Sequence, residues 1–336
     1  MDPLPSLFER PNILVVGGAG FLGSHLCDRL VRHANVVCVD NFSTGALANI
    51  DHLLQDPAFE FLHQDVTVPL GLEKRPELAR FGLATQGVQE IYHLACPVSR
   101  QRFDEFKLPS ARTSAEGTRE LLDLAVKYRA KFLFASTGAL YGPRDPSHPR
   151  AKETDPCIVD HLAPHGIYEE GKRYAEALAR GYADVSGIDV KIARIFRTYG
   201  PRMKIYDGNL IPDLVLAALE GRDMVLPGDE STDISLAFVS DVVDGLVRLM
   251  AAPPETWLLN IGSDQPARLV FVAELLSELA GSAARIRFER PTTRDAGLPD
   301  IARAREAIGW VPLVRLEDGL RRMVDYAKSH RHLISF

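Results

Sequence analysis

Cysteine is scarce in this 336-residue chain, and the four present, Cys27, Cys38, Cys96 and Cys157, share no metal-ligand spacing. Neither a thiolate metal centre nor a disulfide scaffold is therefore expected. Cys27, Cys38 and Cys96 fall in apolar contexts and read as small buried residues, which suits a reducing compartment. Long apolar runs are missing as well, so no segment reaches membrane-spanning length. The N-terminal stretch Met1-Asp2-Pro3-Leu4-Pro5-Ser6-Leu7-Phe8 has neither the basic nor the apolar region of a signal peptide, and the expected compartment is the cytoplasm. Basic residues are dispersed, and a net charge of -6 gives no footprint for nucleic acid or an anionic membrane. There is no internal repeat and no low-complexity segment. With 46% hydrophobic and 25% charged residues, the chain has the make-up of a globular protein with one large or two smaller domains.

What is present is organised around one stretch. The apolar run Ile13-Leu14-Val15-Val16 has the β-branched character of a buried strand. Gly17, Gly20 and Gly23 follow, and Phe21 to Leu30 then runs at helical spacing. Strand, glycine turn and helix in this order form a dinucleotide-binding turn. The first glycine permits the tight turn, the second lets backbone N–H groups of Gly20, Phe21 and Leu22 approach a pyrophosphate, and the third lets helix and strand pack closely. Asp40 closes the next apolar run, Val36-Val37-Cys38-Val39, about 20 residues past the turn. A carboxylate there accepts bonds from a ribose diol and repels a 2′-phosphate, which favours NAD over NADP. The plainer reading of Asp40 is a strand-end turn residue.

Strand-like and helical runs then alternate. Phe59–His63, Glu90–Ala95, Lys131–Thr137 and Val190–Phe196 read as strands, and Gly117–Val126 and Tyr168–Val185 read as helices. This alternation predicts an α/β fold, a Rossmann-type doubly wound parallel sheet. From Tyr199 onward glycine and proline become frequent and the strands shorten. The expected division is an NAD-binding domain over 10–197 with a return segment at about 236–262. A smaller mixed α/β substrate-binding domain would be formed by 198–235 and 263–330. The return rests on Leu236-Ala237-Phe238-Val239 and Leu258-Leu259-Asn260-Ile261, both of which look like buried strands.

Tyr168 and Lys172 lie four apart, on one face of the expected helix. A tyrosine serves as general base near neutral pH only if its phenolate is stabilised. A lysine one turn away, with the positive nicotinamide ring of bound NAD, meets that need. Alone the pair reads equally as a surface helix pair. Ser136-Thr137 closes a strand at the sheet edge where ligands bind in open α/β folds. There Thr137 can hydrogen-bond the sugar oxygen that Tyr168 deprotonates. Thr137, Tyr168 and Lys172 together read as a hydride-transfer site for an alcohol.

Several stretches carry a family resemblance: Gly17–Gly23, Asp40-Asn41-Phe42, Asp65-Val66, His93-Leu94-Ala95-Cys96-Pro97, Tyr168–Arg173, Ala193-Arg194-Ile195-Phe196, Thr198-Tyr199-Gly200-Pro201-Arg202-Met203 and Val239-Ser240-Asp241. On these the chain resembles the extended short-chain dehydrogenases, and within them the UDP-glucuronate decarboxylases. The resemblance implies a nucleotide-sugar substrate and a tightly held NAD that is reduced and reoxidised in one turnover. Tyr168 would take the proton of the C4 hydroxyl, and the 4-keto uronic acid would then lose carbon dioxide. It also implies that Asp65 and Val66 contact adenine, that Asn41, Leu94 and Ala95 border the cofactor, and that Lys172 contacts the nicotinamide ribose. Pro97, Ser99 and Asn209 would face the substrate. A homodimer is implied too, through the Tyr-Lys helix and its neighbour, with Ala175, Ala177 and Ala179 permitting close approach.

The substrate half departs from the family pattern. Gly138 and Ala139 stand where the decarboxylases have Ser-Glu and the 4,6-dehydratases Asp-Glu; small residues there are what 4-epimerases show. Neither can exchange a proton, so a 4-keto intermediate would rely on water or Tyr168. Arg197 replaces an asparagine, and Ile234 and Gly297 stand at positions usually held by arginines. Arg197, just past a strand end, has a planar fork suited to phosphate or carboxylate oxygens, and Arg202 and Arg294 are weaker candidates for the same task. His165, Arg100 and Arg102 read either as pocket residues or as solvated loop residues, and His330-Arg331-His332 as an exposed tail rather than a metal site. Four functions follow in order: a C4-oxidising decarboxylase, a 4-epimerase, a dehydrogenase with net turnover on another polar substrate, and a non-catalytic NAD-binding protein.

Overall fold

The computed structural model describes residues 10–143, 147–205, 207–290 and 297–330. Arg294, Arg331 and His332 lie outside them. Seven strands form the central sheet: β1 (Asn12–Val16), β2 (Asn35–Asp40), β3 (Phe59–His63), β4 (Glu90–His93), β5 (Lys131–Thr137), β6 (Val190–Ile195) and β7 (Leu258–Ile261). Their spatial order is 3-2-1-4-5-6-7, and every pairing is parallel. The order reverses beside β1, which opens a crevice at the strands' C-terminal edge.

The uninterrupted apolar runs have a simple cause. Ile13 and Val15 of β1, with Val36 and Cys38 of β2, join the core on one face of the sheet. Leu14 and Val16, with Val37 and Val39, join the core on the other. Side chains alternate along a strand, and both faces of this sheet are covered, so successive positions in the middle of β1 and β2 are all apolar. Helix α1 (Phe21–Leu30) and helix α4 (Val239–Ala251) cover the first face; helix α2 (Thr118–Tyr128) and helix α3 (Gly166–Ser186) cover the second. The first core continues without a break into the helices Leu210–Glu220, Leu269–Ala280 and Leu316–Ser329. Among the described residues no helix is long and apolar enough to cross a membrane.

Three details differ from the sequence reading. Only Ala237 and Phe238 of the stretch 236–239 are extended, and they pair with Thr198-Tyr199 outside the main sheet. Val239 already opens helix α4, and Phe238 packs edge-on against Tyr199 at 5.4 Å. A π-helical turn, Thr113–Gly117, precedes helix α2, a feature often found at functional sites. There a side chain on Gly117 would come within 2.8 Å of Val66, and Thr113 borders the main cleft. Finally, Ala175 and Ala179 are fully buried inside the chain, and only Ala177 is exposed, so the three alanines do not form one outward face. The hundred-degree turn per residue puts 175 and 179 on the sheet side of the helix.

Helix α3 is tied to the sheet by charge. Glu176 receives the Arg194 guanidinium of β6 at 2.7 and 3.0 Å, and the Ser136 hydroxyl of β5. Burial disfavours the guanidinium charge, and Glu176 more than offsets this, holding Arg194 above its ordinary pKa. Glu176→Ala leaves that cation buried and unpaired. Urea denaturation should show a loss of about 3–5 kcal/mol; an unchanged midpoint would show that the pair does not hold the helix in place.

Candidate functional site

A cleft of about 780 Å³ runs along the C-terminal ends of the strands. Its floor is the glycine turn. Gly17 has φ +83°, donates its N–H to Val39 O at 2.8 Å, and lies so close to β4 that a Cβ would stand 2.6 Å from the Ala95 nitrogen. At Gly23 a Cβ would meet the Gly17 carbonyl at 2.0 Å. Gly20 occupies the N-cap of helix α1 and brings no side chain to the first-turn N–H groups. A bare helix start beside a glycine cradle suits a pyrophosphate.

Asp40 is buried at the end of β2 and accepts from Ala19 N at 3.0 Å and Phe42 N at 2.8 Å. Burial raises its pKa, and these amides act in the opposite sense. Asp65, at the adjacent strand end, accepts from Asn41 Nδ2 at 2.9 Å and from Thr67. Its partial burial would raise its pKa, but those hydrogen bonds hold it below the usual value. Phe21, Leu22, Val66, Leu94 and Ala95 line the same cleft. The residues expected to hold NAD are thus brought together, in a cradle that added side chains would fill.

A second cavity, of about 320 Å³, adjoins the first. Thr137, Tyr168, Phe196 and Asn209 line both, so the tyrosine stands where the two meet. Burial raises the Tyr168 phenol above its ordinary pKa, the Cys96 thiol adds to this, and a hydrogen bond with Thr137 works against it. Lys172 Nζ donates to Ala135 O at 2.7 Å, and burial lowers its pKa. Its ammonium lies 4.7 Å from the Phe134 ring centroid and 6.0 Å from that of Tyr168. The lysine was expected to bring the phenol down together with the positive ring of bound NAD. Here it is committed to a carbonyl beneath the tyrosine, and burial prevails. A phenolate therefore needs another positive charge at the junction.

The expected substrate residues separate. Arg197 and Asn209 line the smaller cavity, together with Arg100 and His165. Pro97 lines only the larger. Ser99 lines neither; it is buried with its hydroxyl on the Asp207 carboxylate. Arg202 faces the larger cleft, held 2.8 Å from Asp28 of helix α1, with a left-handed φ of +65°. That ion pair turns it away from the smaller cavity. Ile234 is a core residue, and Gly297 borders the smaller cavity. A Cβ on Gly138 would stand 2.9 Å from the Phe196 ring, so a serine there requires that ring to move.

Other residues escaped the sequence reading. Cys96 is partly exposed, lines the cleft and sits 3.2 Å from Ser110 Oγ. His330 stacks on Tyr326 at 4.1 Å, and both border the large cleft instead of forming an exposed tail. Glu169 lines the smaller cavity beside Tyr168; its position four residues after His165 was the available signal. His93 is a neutral core imidazole, pushed down to about 3 by burial and by the Lys172 charge.

Known proteins bear on this geometry. The UDP-glucuronic acid decarboxylase 1 of Arabidopsis thaliana is 38% identical over 319 residues, which cover 94% of this chain and 69% of that protein. The Xenopus tropicalis protein of the same name is 37% identical, with 96% of this chain and 73% of that protein covered. Among solved structures, the UDP-glucuronic acid 4-epimerase of Bacillus cereus, in complex with UDP-glucuronic acid and NAD, is similar with a TM-score of 0.80. It is 26% identical, and the match covers 95% of this chain and 99% of that one. Residues 13–262 match the NAD dependent epimerase/dehydratase family, and the chain belongs to that family.

Proposed function

We propose that this enzyme decarboxylates UDP-glucuronate, with C4 of the sugar oxidised and then reduced again. The observation that carries the reading is the junction of the two cavities at Thr137 and Tyr168. Cofactor and sugar then meet at one hydroxyl. Relatives that carry the decarboxylase name over more than nine-tenths of this chain support that chemistry over others of the family. When bound, NAD supplies the hydride acceptor and, in its oxidised form, the positive charge that the phenol lacks.

The chain's own residues do the rest. The glycine turn and the start of helix α1 hold the pyrophosphate, Asp40 holds the adenosine ribose, and Asp65 and Val66 border adenine. Tyr168 takes the C4 hydroxyl proton, with Thr137 hydrogen-bonded to the same oxygen. Lys172 orients the nicotinamide ribose and keeps a cation beneath the tyrosine. In the smaller cavity Arg197 grips an anionic group of the substrate in place of the arginines absent at 234 and 297. The segments 198–235 and 263–330 serve as the substrate-binding part. A homodimer through helix α3 and its neighbour Phe103–Arg112, where Tyr174 and Leu108 are exposed, belongs to this reading, as does a cytoplasmic location.

One observation favours a second reading. Gly138 and Ala139 place no acid or base over the sugar, as in a 4-epimerase. Product analysis after incubation with UDP-glucuronate separates the two: a UDP-pentose and carbon dioxide are expected, whereas a new UDP-hexuronate, isomeric with the substrate but distinct by NMR at C4, would establish epimerisation. Tyr168→Phe should lower turnover about 10²–10⁴-fold with NAD still bound; near-normal activity would remove Tyr168 from the reaction.

Arg197→Ala should raise KM for the nucleotide sugar sharply and leave NAD binding intact, because a ground-state contact is lost and not a proton transfer. An unchanged KM would place the anion elsewhere.

A further inference from the structure

Decarboxylation of a 4-keto uronic acid leaves an electron pair at C5 that must receive a proton, and positions 138 and 139 supply no acid. Resting on the decarboxylase reading above, we propose that Glu169 is the acid that protonates C5. Glu169 lines the 320 Å³ cavity that Tyr168 and Thr137 also line. His165, at the N-cap of helix α3, and Tyr168 and Glu169 in its first turn all border this cavity, with Glu169 four residues from His165.

The surroundings of Glu169 favour the protonated form. It is half-buried, and among the described residues no cation pairs with it. Burial raises its pKa, and the neighbouring carboxylates Asp160 and Glu170 raise it further. Glu170 is itself paired with Arg173 at 2.7 Å. Among the described residues, the cations bordering the cavity are Arg100 and Arg197. His165 is the other titratable group there, and its ring packs edge-on against Phe103 at 4.4 Å. Burial lowers its pKa, and Arg100 and Lys107 lower it further, so it is neutral and a poor proton donor. Tyr168 is reserved for the C4 oxygen.

The step balances. The C5–C6 bond breaks and carbon dioxide leaves. The electron pair passes to C5 and is shared with the C4 carbonyl as an enolate. The Glu169 proton forms the new C5–H bond, and the carboxylate recovers a proton from water. A carboxyl whose pKa is raised by burial and by like charges is a known means of supplying an acid nearer neutral pH.

C5 of the product pentose carries two hydrogens, which distinguish delivery from one side from delivery by bulk water. In D₂O the unaltered enzyme should place deuterium on one side of C5, read by NMR of the UDP-pentose. Glu169→Gln should slow pentose formation about 10²-fold and spread the deuterium over both sides. The slowed rate should also lose the decline at rising pH that marks a general acid. Glu169→Asp, which keeps a carboxyl, should restore one-sided labelling. One-sided labelling at full rate in Glu169→Gln, or an Asp variant that behaves as the Gln variant, would overturn the inference and leave the decarboxylase reading standing. An unaltered enzyme that releases no carbon dioxide from UDP-glucuronate would overturn both.

Discussion

The docking of helix α3 on β5 and β6 is the constraint on which the site depends. Tyr168, Lys172 and Glu176 recur every four residues, on the same side of the helix as the fully buried Ala175 and Ala179. Each of the three reaches a different part of the sheet or its edge. Glu176 meets Arg194 and Ser136, Lys172 meets the Ala135 carbonyl, and Tyr168 emerges beside Thr137. Two cations and a carboxylate are buried together here. Such an arrangement adds little net stability compared with apolar packing. Its value lies in register, because an apolar face could slide where these pairs cannot. As a hypothesis, register of this kind is what sets the tyrosine oxygen at the junction of the two cavities.

Burial explains the electrostatics of the resting site. It raises Asp40 and Tyr168, lowers Lys172, and so disfavours charge on every group that must become or stay charged during the reaction. The site is therefore incomplete without its cofactor, whose positive ring and ribose hydroxyls complement a buried carboxylate and a buried phenol. This accords with a family whose solved members include a 4-epimerase in complex with NAD. A cofactor retained through the cycle is consistent with a site whose own charges are poised for it.

The fold was legible because strands of a parallel sheet covered on both faces run largely apolar, and its glycine turn has few substitutes. Strand positions and the glycine turn followed from those two rules, whereas Asp65, Val66, Leu94 and Ala95 came from the family resemblance. The return strand at 258–261 was legible for the same reason; the stretch 236–239 was equally apolar but lies at a helix start, and apolarity alone does not separate the two. The ion pair of Arg202 with Asp28 and the burial of Ser99 on Asp207 were not legible, because these partners are distant in sequence. His330 is different: it stacks on Tyr326, one helical turn earlier, and both border the cleft. Lys172 was placed in the chain, but nothing local reveals that its ammonium donates to the Ala135 carbonyl.

The central claim is that one tyrosine-centred junction oxidises C4 and restores it in a single turnover. UDP-glucuronate carrying deuterium at C4 tests this directly. Mass spectrometry and NMR of the product should find the label still at C4 of the pentose, with none in free NADH and none in solvent. Label recovered in released NADH, or lost to water, would contradict the account and point to a dehydrogenase with net turnover.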